Sequence, residues 1–196
     1  MFSQIDSFVA RCSILSADEL AYFHSCLEPR HLKRKEFLLR EGEVCRYEAY
    51  VVNGCMRKYC VDEHGVDVNL QFAVEDWWIS DLASFTEERP STLNIQALED
   101  TDVLLIRHAE KESLFKEVPA MERMFRLLVQ RSLNAMQDRF ISVLSKPAQQ
   151  RYLDFVERYP ALLQRMPQHH IASYLGMTPE FLSKVRRKLA TGAQAR

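Results

Sequence analysis

Between Lys33 and His108 the chain keeps a beat of about ten residues that a helix cannot follow. In "EFLLREGEVCRYEAYVVNGCMRKYCVDEHGVDVNLQFAVED", short runs of Val, Tyr, Phe and Leu are broken at Gly42, at Asn53-Gly54 and at His64-Gly65. β-Branched and aromatic residues suit a half-buried pleated surface, and Asn-Gly is the strongest short signal for a tight strand-to-strand turn. A second block, "STLNIQALEDTDVLLIRHA", offers two more strands around the turn "LEDTD". Residues 33–108 therefore predict a small all-β sandwich or barrel, interrupted by the less regular "WWISDLASFTEERP". Helical spacing precedes it: Ile5, Phe8, Val9 and Cys12 recur on one side, and Ser16-Ala-Asp-Glu19 reads as a capping box ahead of Leu20, Tyr22 and Phe23.

After the strands the period changes to that of a long helix, Val118 to Leu144, with Pro119 in its first turn, where the missing N–H costs nothing. At about 1.5 Å per residue its length is about 40 Å. Met121, Met124, Phe125, Leu128, Ala135 and Ser142 fall along one side. Such a stripe needs a partner. The reading adopted is the same helix of a second copy, and the alternative is a helix lying along its own β domain. Ser145-Lys-Pro147 breaks the helix, and a further one runs from about Ala148 to Arg158 before Tyr159-Pro160. The expected organisation is thus α+β: a β domain with N-terminal helices (1–116), a long dimerisation helix (117–145) and a helical C-terminal domain (146–196).

A net charge of −1 argues, taken whole, against a polyanionic partner. Its distribution reverses that. Residues 146–196 hold nine Lys/Arg against three Asp/Glu, a net +6, which leaves −7 on residues 1–145. Within the basic quarter, Ile171, Ala172 and Leu175 form an apolar stripe and Gly176 stands where a helix stops in a left-handed cap. Thr178, Pro179 and Glu180 then read as N-cap, first position and acidic second position of a new helix. Leu182, Val185 and Leu189 are its buried side, and Glu180, Ser183, Lys184 and Arg187 its opposite face. Two short helices joined by a glycine turn are the helix-turn-helix plan, whose second helix enters the major groove. A carboxylate there accepts from cytosine N4, and a lysine donates to guanine O6 and N7. The same pattern also suits the capped end of a plain helical core. Adjacent His169 and His170 cannot both face one metal from a helix and are read as first-turn polar residues.

The order of parts, with "LLREGE", "VVNGCMRKY", "IQALEDTDVLLI" and "IASYLGMTPEFLSKVRRKL", resembles the Crp/Fnr family of bacterial transcription regulators over nearly the whole chain. The resemblance implies a cyclic-nucleotide-binding-like jelly roll, a homodimer joined by the long helix, and a winged-helix-type helix-turn-helix domain on a two-fold symmetric operator in double-stranded DNA. The family's base-reading positions fall on Pro179, Glu180 and Lys184. Lys184 replaces an arginine, and Pro179 cannot make an arginine's contact, so the operator is expected to differ. Glu180, Ser183 and Lys184 are assigned to bases, and Thr178, Arg186, Arg187 and Lys188 to phosphates.

The same resemblance places an effector pocket at Asp81, Leu82, Ser91 and Thr92, with Asn134 on the long helix near it. Members that bind cyclic nucleotides carry Gly-Glu-Leu and an Arg-Ser or Arg-Thr pair. Here "SDL" and "PST" stand instead, so Ser91 brings no charge to a phosphate and Arg89 is two residues away. An anion buried without a cation is costly, and control by cyclic AMP is not expected. The five cysteines form no C-x2-C cluster, so neither a metal nor an iron–sulfur cofactor is expected. No stretch reaches the roughly 18 apolar residues of a membrane helix, and "MFSQIDSFVARCS" lacks a secretory pattern, so the expected location is cytoplasmic with no membrane partner. RNA polymerase and an unidentified small molecule are further candidate partners. A ligand-sensing or protein-docking module without DNA binding is the rival reading. No catalytic constellation survives inspection, so an enzyme is not expected.

Overall fold

The computed structural model describes residues 2–193, so Met1 and residues 194–196, at the ends of the outer two expected segments, lie outside the described residues. Two helices, α1 (Ser3–Ala10) and α2 (Ala17–Ser25), precede strands β1 (Glu28–Leu32), β2 (Phe37–Leu39), β3 (Tyr47–Asn53), β4 (Met56–Val61), β5 (Asp67–Ala73) and β6 (Trp78–Ile79). A short helix α3 (Leu82–Glu87) leads to β7 (Asn94–Ala97) and β8 (Thr101–Arg107). The rest is helical: α4 (His108–Glu117), α5 (Pro119–Ser145), α6 (Ala148–Arg158), α7 (Leu162–Arg165), α8 (Gln168–Tyr174) and α9 (Pro179–Ala193). No strand follows β8 among the described residues, so the expected helix-turn-helix helices are present without strands of a wing.

The strands close into a roll of two antiparallel four-stranded sheets, β1-β8-β3-β6 and β2-β7-β4-β5. Leu39, Val51, Met56, Ile79, Phe85, Ile95, Val103 and Leu105 fill the space between them. β1 lies ahead of the span that the strand rhythm marked out. Its sequence "EPRHL" shows no alternation because four of its five residues are exposed, and pairing along β8 alone makes it a strand. The β3–β4 turn is set by Gly54 at φ +105°. A Cβ there would stand 2.7 Å from the Thr101 Cα and 2.8 Å from the Asp100 carbonyl oxygen.

The Ser16 capping box forms: the Glu19 N–H donates to Ser16 Oγ and the Ser16 N–H donates to Glu19 Oε2 at 2.7 Å. It holds α2 so that Phe23 joins Ile5, Phe8, Val9, Tyr50, Leu104, Ile106 and Leu114 in a second core outside the roll. Met121, Met124 and Phe125 of α5 enter that same core, each burial stabilising by about 1.5–3 kcal/mol. The stripe read as a seam with a second copy is therefore, in its first half, buried against the chain's own roll. These residues pack there because α4 turns the chain back along β8 before α5 begins. A different stripe of α5 is left uncovered. Val129, Leu133, Met136, Phe140, Val143 and Leu144 are between 37 % and 70 % exposed. Their steps of four and three residues are those of a two-helix seam, roughly a third of a turn round from the first stripe.

Helices α6 to α9 form the third core, with Phe155, Leu162, Met166, Ile171, Ala172, Leu175 and Leu182 packed also on Cys55 and Phe72 of the roll. Polar contacts tie this unit to the roll. Arg165 Nη1 and Nη2 donate to the two Glu75 carboxylate oxygens at 2.7 and 2.9 Å, and Nη2 also pairs with Glu99. The Asn69 N–H donates to Ser173 Oγ, which donates to the Asp67 carbonyl at 2.6 Å. Burial and the neighbouring Arg57 cation push the His170 imidazole down to about 4, so at neutral pH it is uncharged and Nδ1 accepts from Arg57 Nη1 at 3.2 Å.

Substituting Gly54→Ala is expected to lower the unfolding free energy by about 2–4 kcal/mol through the strained φ and the backbone clash. Urea denaturation measures this; a change below about 0.5 kcal/mol would show that the β3–β4 turn yields freely.

Candidate nucleic-acid interface and effector pocket

The second helix of the hairpin is built as its residue types dictate. Gly176 adopts φ +66° and ends the first helix, as the backbone reversal there requires. The Phe181 N–H donates to Thr178 Oγ1 at 3.2 Å, so Thr178 caps α9, and Pro179 opens it. Leu182 and Val185 are buried against α6 and α8 and fix the rotation of α9 about its axis. Glu180, Ser183, Lys184, Arg186, Arg187 and Lys188 are all exposed. At about 100° per residue, Glu180, Lys184 and Arg187 lie within about 60° of one another, with Ser183 beside them. Arg186 and Lys188 stand on opposite flanks of that face, about 120° and 80° from Glu180. A helix presenting this surface puts a carboxylate, a hydroxyl and a lysine at the centre, and cations at the edges where a groove's phosphate walls would be. No carboxylate among the described residues pairs with Lys184, Arg186, Arg187 or Lys188, so this positive charge is unneutralised. Phe181, also exposed at the start of the helix, was not singled out by sequence reasoning.

The roll's insertion is closed on itself. Ser91, 3 % exposed, donates from Oγ to Asp81 Oδ2 at 2.6 Å, while Asp81 Oδ1 caps α3 by accepting from the Ser84 N–H. The Leu93 N–H donates to Ser91 Oγ at 2.9 Å, and Ser84 Oγ donates to the Arg89 carbonyl at 2.6 Å. Arg89 itself is turned outward onto Glu87 at 2.5 Å. Asp81 and Ser91 thus meet each other rather than a cavity. Thr92 and Asn134 are exposed and stand apart from the cavity wall, whereas Leu82 lies on it.

That cavity, about 840 Å³, runs between β4, β5 and β6 of the roll, the middle of α5, and α6. Trp77, Trp78, Phe125, Leu128 and Val129 give it an apolar body. Two cations on its wall went unread in the sequence. Lys58 shares the inward side of β4 with Met56 and donates from Nζ to the Ser80 carbonyl at 2.9 Å. Burial lowers its pKa, and Asp81 acts in the opposite direction. Arg139 of α5 donates to the Asn69, Leu70 and Tyr174 carbonyls at 2.8–3.0 Å, joining β5, α5 and α8 through one guanidinium. A signal for Lys58 existed: "CMRKYC" places a lysine at an inward strand position, which is unusual unless it serves a site.

Residues 29–118 match the model of the cyclic nucleotide-binding domain. The chain is 25 % identical over 167 residues to the transcriptional activator protein Anr of Pseudomonas aeruginosa, covering 80 % of this chain and 68 % of that one. FixK2 from Bradyrhizobium japonicum shares the fold with a TM-score of 0.73 at 21 % identity, covering 85 % of this chain and 86 % of that chain. CLP of Xanthomonas campestris, a global regulator responsive to c-di-GMP, shares it with a TM-score of 0.72 at 14 % identity over 91 % and 93 %. The likeness to solved structures carries the fold, and the two sequence matches carry the kinship. The matched cyclic nucleotide-binding domain, the kinship with Anr and the order of roll, long helix and helix-turn-helix together support a regulator of the Crp/Fnr family.

Proposed function

We propose that this protein is a homodimeric, sequence-specific DNA-binding transcription regulator, acting on a two-fold symmetric operator without control by cyclic AMP. The observation that carries the reading is the exposed face of α9, where Glu180, Lys184 and Arg187 stand together on a helix capped by Thr178 and fixed by Leu182 and Val185. Its kinship with a transcriptional activator supports it. In this reading residues 1–116 sense, 117–145 dimerise and 146–196 bind DNA. Glu180, Ser183 and Lys184 read bases, with Glu180 accepting from cytosine N4, while Thr178, Arg186, Arg187 and Lys188 hold phosphates. The uncovered stripe of α5 from Val129 to Leu144 is the surface that a second copy buries. Two recognition helices related by a two-fold axis then meet successive major grooves about 34 Å apart. RNA polymerase is the expected protein partner at a promoter and the cytoplasm the expected location; no helix of the described residues is long and apolar enough to cross a membrane. The protein acts by binding rather than by catalysis.

Two substitutions separate the roles on α9. Arg187→Ala should weaken binding to all sequences alike and reduce the log–log salt slope by about one. Glu180→Ala should instead cost about 1–3 kcal/mol of discrimination at one base pair and little affinity elsewhere. Fluorescence anisotropy on a panel of single-base operator variants measures both, and a uniform loss for Glu180→Ala contradicts its assignment to a base.

In calorimetry, cyclic AMP is expected to give no binding at micromolar concentrations, because Asp81 is engaged by Ser91 and Arg89 by Glu87. A micromolar or tighter Kd would overturn that statement.

A further inference from the structure

We propose that the cavity between the roll and α5 is the effector site for a small amphipathic carboxylate, an organic acid with an apolar body, whose carboxylate is taken by Lys58. The inference rests on the reading of the roll as a sensor and names the chemistry that it senses.

The cavity's volume of about 840 Å³ lies within the range of pockets that enclose small organic ligands. Its wall is mostly apolar, with Trp78, Phe125, Leu128 and Val129 facing the space from β6 and α5. The charges on that wall do not balance. Its two carboxylates are each engaged: Glu48 holds Lys111 at 2.7 Å, and Asp76 accepts from Tyr50 Oη at 2.5 Å and from Arg11 at 3.1 Å. Of its cations, Arg158 faces Asp138 at 3.7 Å. Lys58, Arg131 and Arg139 have no carboxylate within ion-pair distance among the described residues. Lys58 is the deepest of the three by its place on the inward side of β4, and a single carbonyl, that of Ser80, accepts from it. An ammonium has three donors and a full charge, so one carbonyl leaves donors unfilled, and Asp81 acts on it only from beyond ion-pair distance. Trp78 adds a second donor, since its Nε1 is buried with no acceptor among the described residues.

An uncharged apolar ligand would leave Lys58 unbalanced. A cyclic nucleotide would place its phosphate by the insertion, where Asp81 and Ser91 already bond each other. A helix of a second copy would cover the rim at Val129, Met136, Phe140 and Val143, which belong to both cavity and uncovered stripe, without supplying an anion at β4. A monocarboxylate satisfies both halves of the site: its apolar body lies on Trp78, Phe125 and Leu128, and its oxygens accept from Lys58. Arg139, on the same wall, donates to Asn69 and Leu70 of β5 and to Tyr174 of α8, so the site borders the joint between the roll and the helix-turn-helix unit.

The chain's two tryptophans, Trp77 and Trp78, both line the cavity, so their emission reports occupancy. The test titrates the full-length protein, without DNA, with decanoate and with decanol as its uncharged counterpart. Decanoate is expected to change the emission saturably and to bind about tenfold or more tightly than decanol, the scale of a charge-assisted hydrogen bond. Lys58→Met, which keeps the side-chain volume, should remove that preference and leave decanol binding unchanged. Equal affinity of the wild-type protein for the two probes, absence of decanoate binding, or an undiminished preference in Lys58→Met would each overturn the proposal. Since no DNA is present, a failure here is distinguishable from a failure of the DNA-binding reading.

Discussion

Near Leu128 the long helix α5 changes what it is buried against, and the rest of the architecture depends on that change. Up to Phe125 its side chains are locked into the core that α1, α2 and α4 build on the roll. Beyond it, the helix leaves the roll with a cavity on one side and an uncovered apolar stripe on another. A helix of about 40 Å, buried at its start and tied to β5 again through Arg139, is a rigid arm. It fixes where α6 begins, and through α6 where α9 stands. The uncovered stripe, the cavity and α9 are therefore positioned by one element whose first two turns are anchored by hydrophobic burial.

The second constraint is polar. Arg139 and Arg165 bind the helical unit to the roll, Arg139 through three backbone carbonyls and Arg165 through two carboxylates. Backbone acceptors specify position more than they stabilise, because guanidinium and carbonyls exchange water for each other at modest net gain. Between the roll and the helical unit lies an apolar contact in which Cys55 and Phe72 pack with Phe155 and Ile171. A ligand beside Arg139 thus acts at a joint shared by β5, α5 and α8. In the proposed reading this joint links the roll to the helix-turn-helix unit.

The sequence made the helix-turn-helix legible because its signals are local: Gly176 for the left-handed cap, Thr178 for the N-cap, Leu182 and Val185 for the buried side. The roll's central strands were legible for the same reason. β1 was not, since an exposed edge strand carries no alternation and exists by pairing with β8. The stripe from Met121 to Ser142 was visible, but its partner was not; periodicity reports that a face is buried and says nothing of what buries it. Once the eye follows that stripe, the repeat at Val129, Leu133, Met136 and Phe140 is hidden, although it is plain beside the exposures. At the candidate effector site the residue types at Asp81 and Ser91 were readable, but their bond to each other is a long-range fact of the insertion's path. Lys58 and Arg139 escaped because a cation beside another charged residue, Arg57 in one case and Asp138 in the other, looks like a surface residue until the strand's inward side and the helix's inner face are known.

The central claim is that two copies of α9, held by paired α5 helices, read a symmetric DNA site. Selection of bound sequences from a random duplex pool by the purified protein tests it most directly. The account predicts enrichment of an inverted repeat whose half-site centres are about 10–10.5 base pairs apart, or a multiple of that spacing. Enrichment of a single unrepeated half-site, or no enrichment over the starting pool, would contradict it.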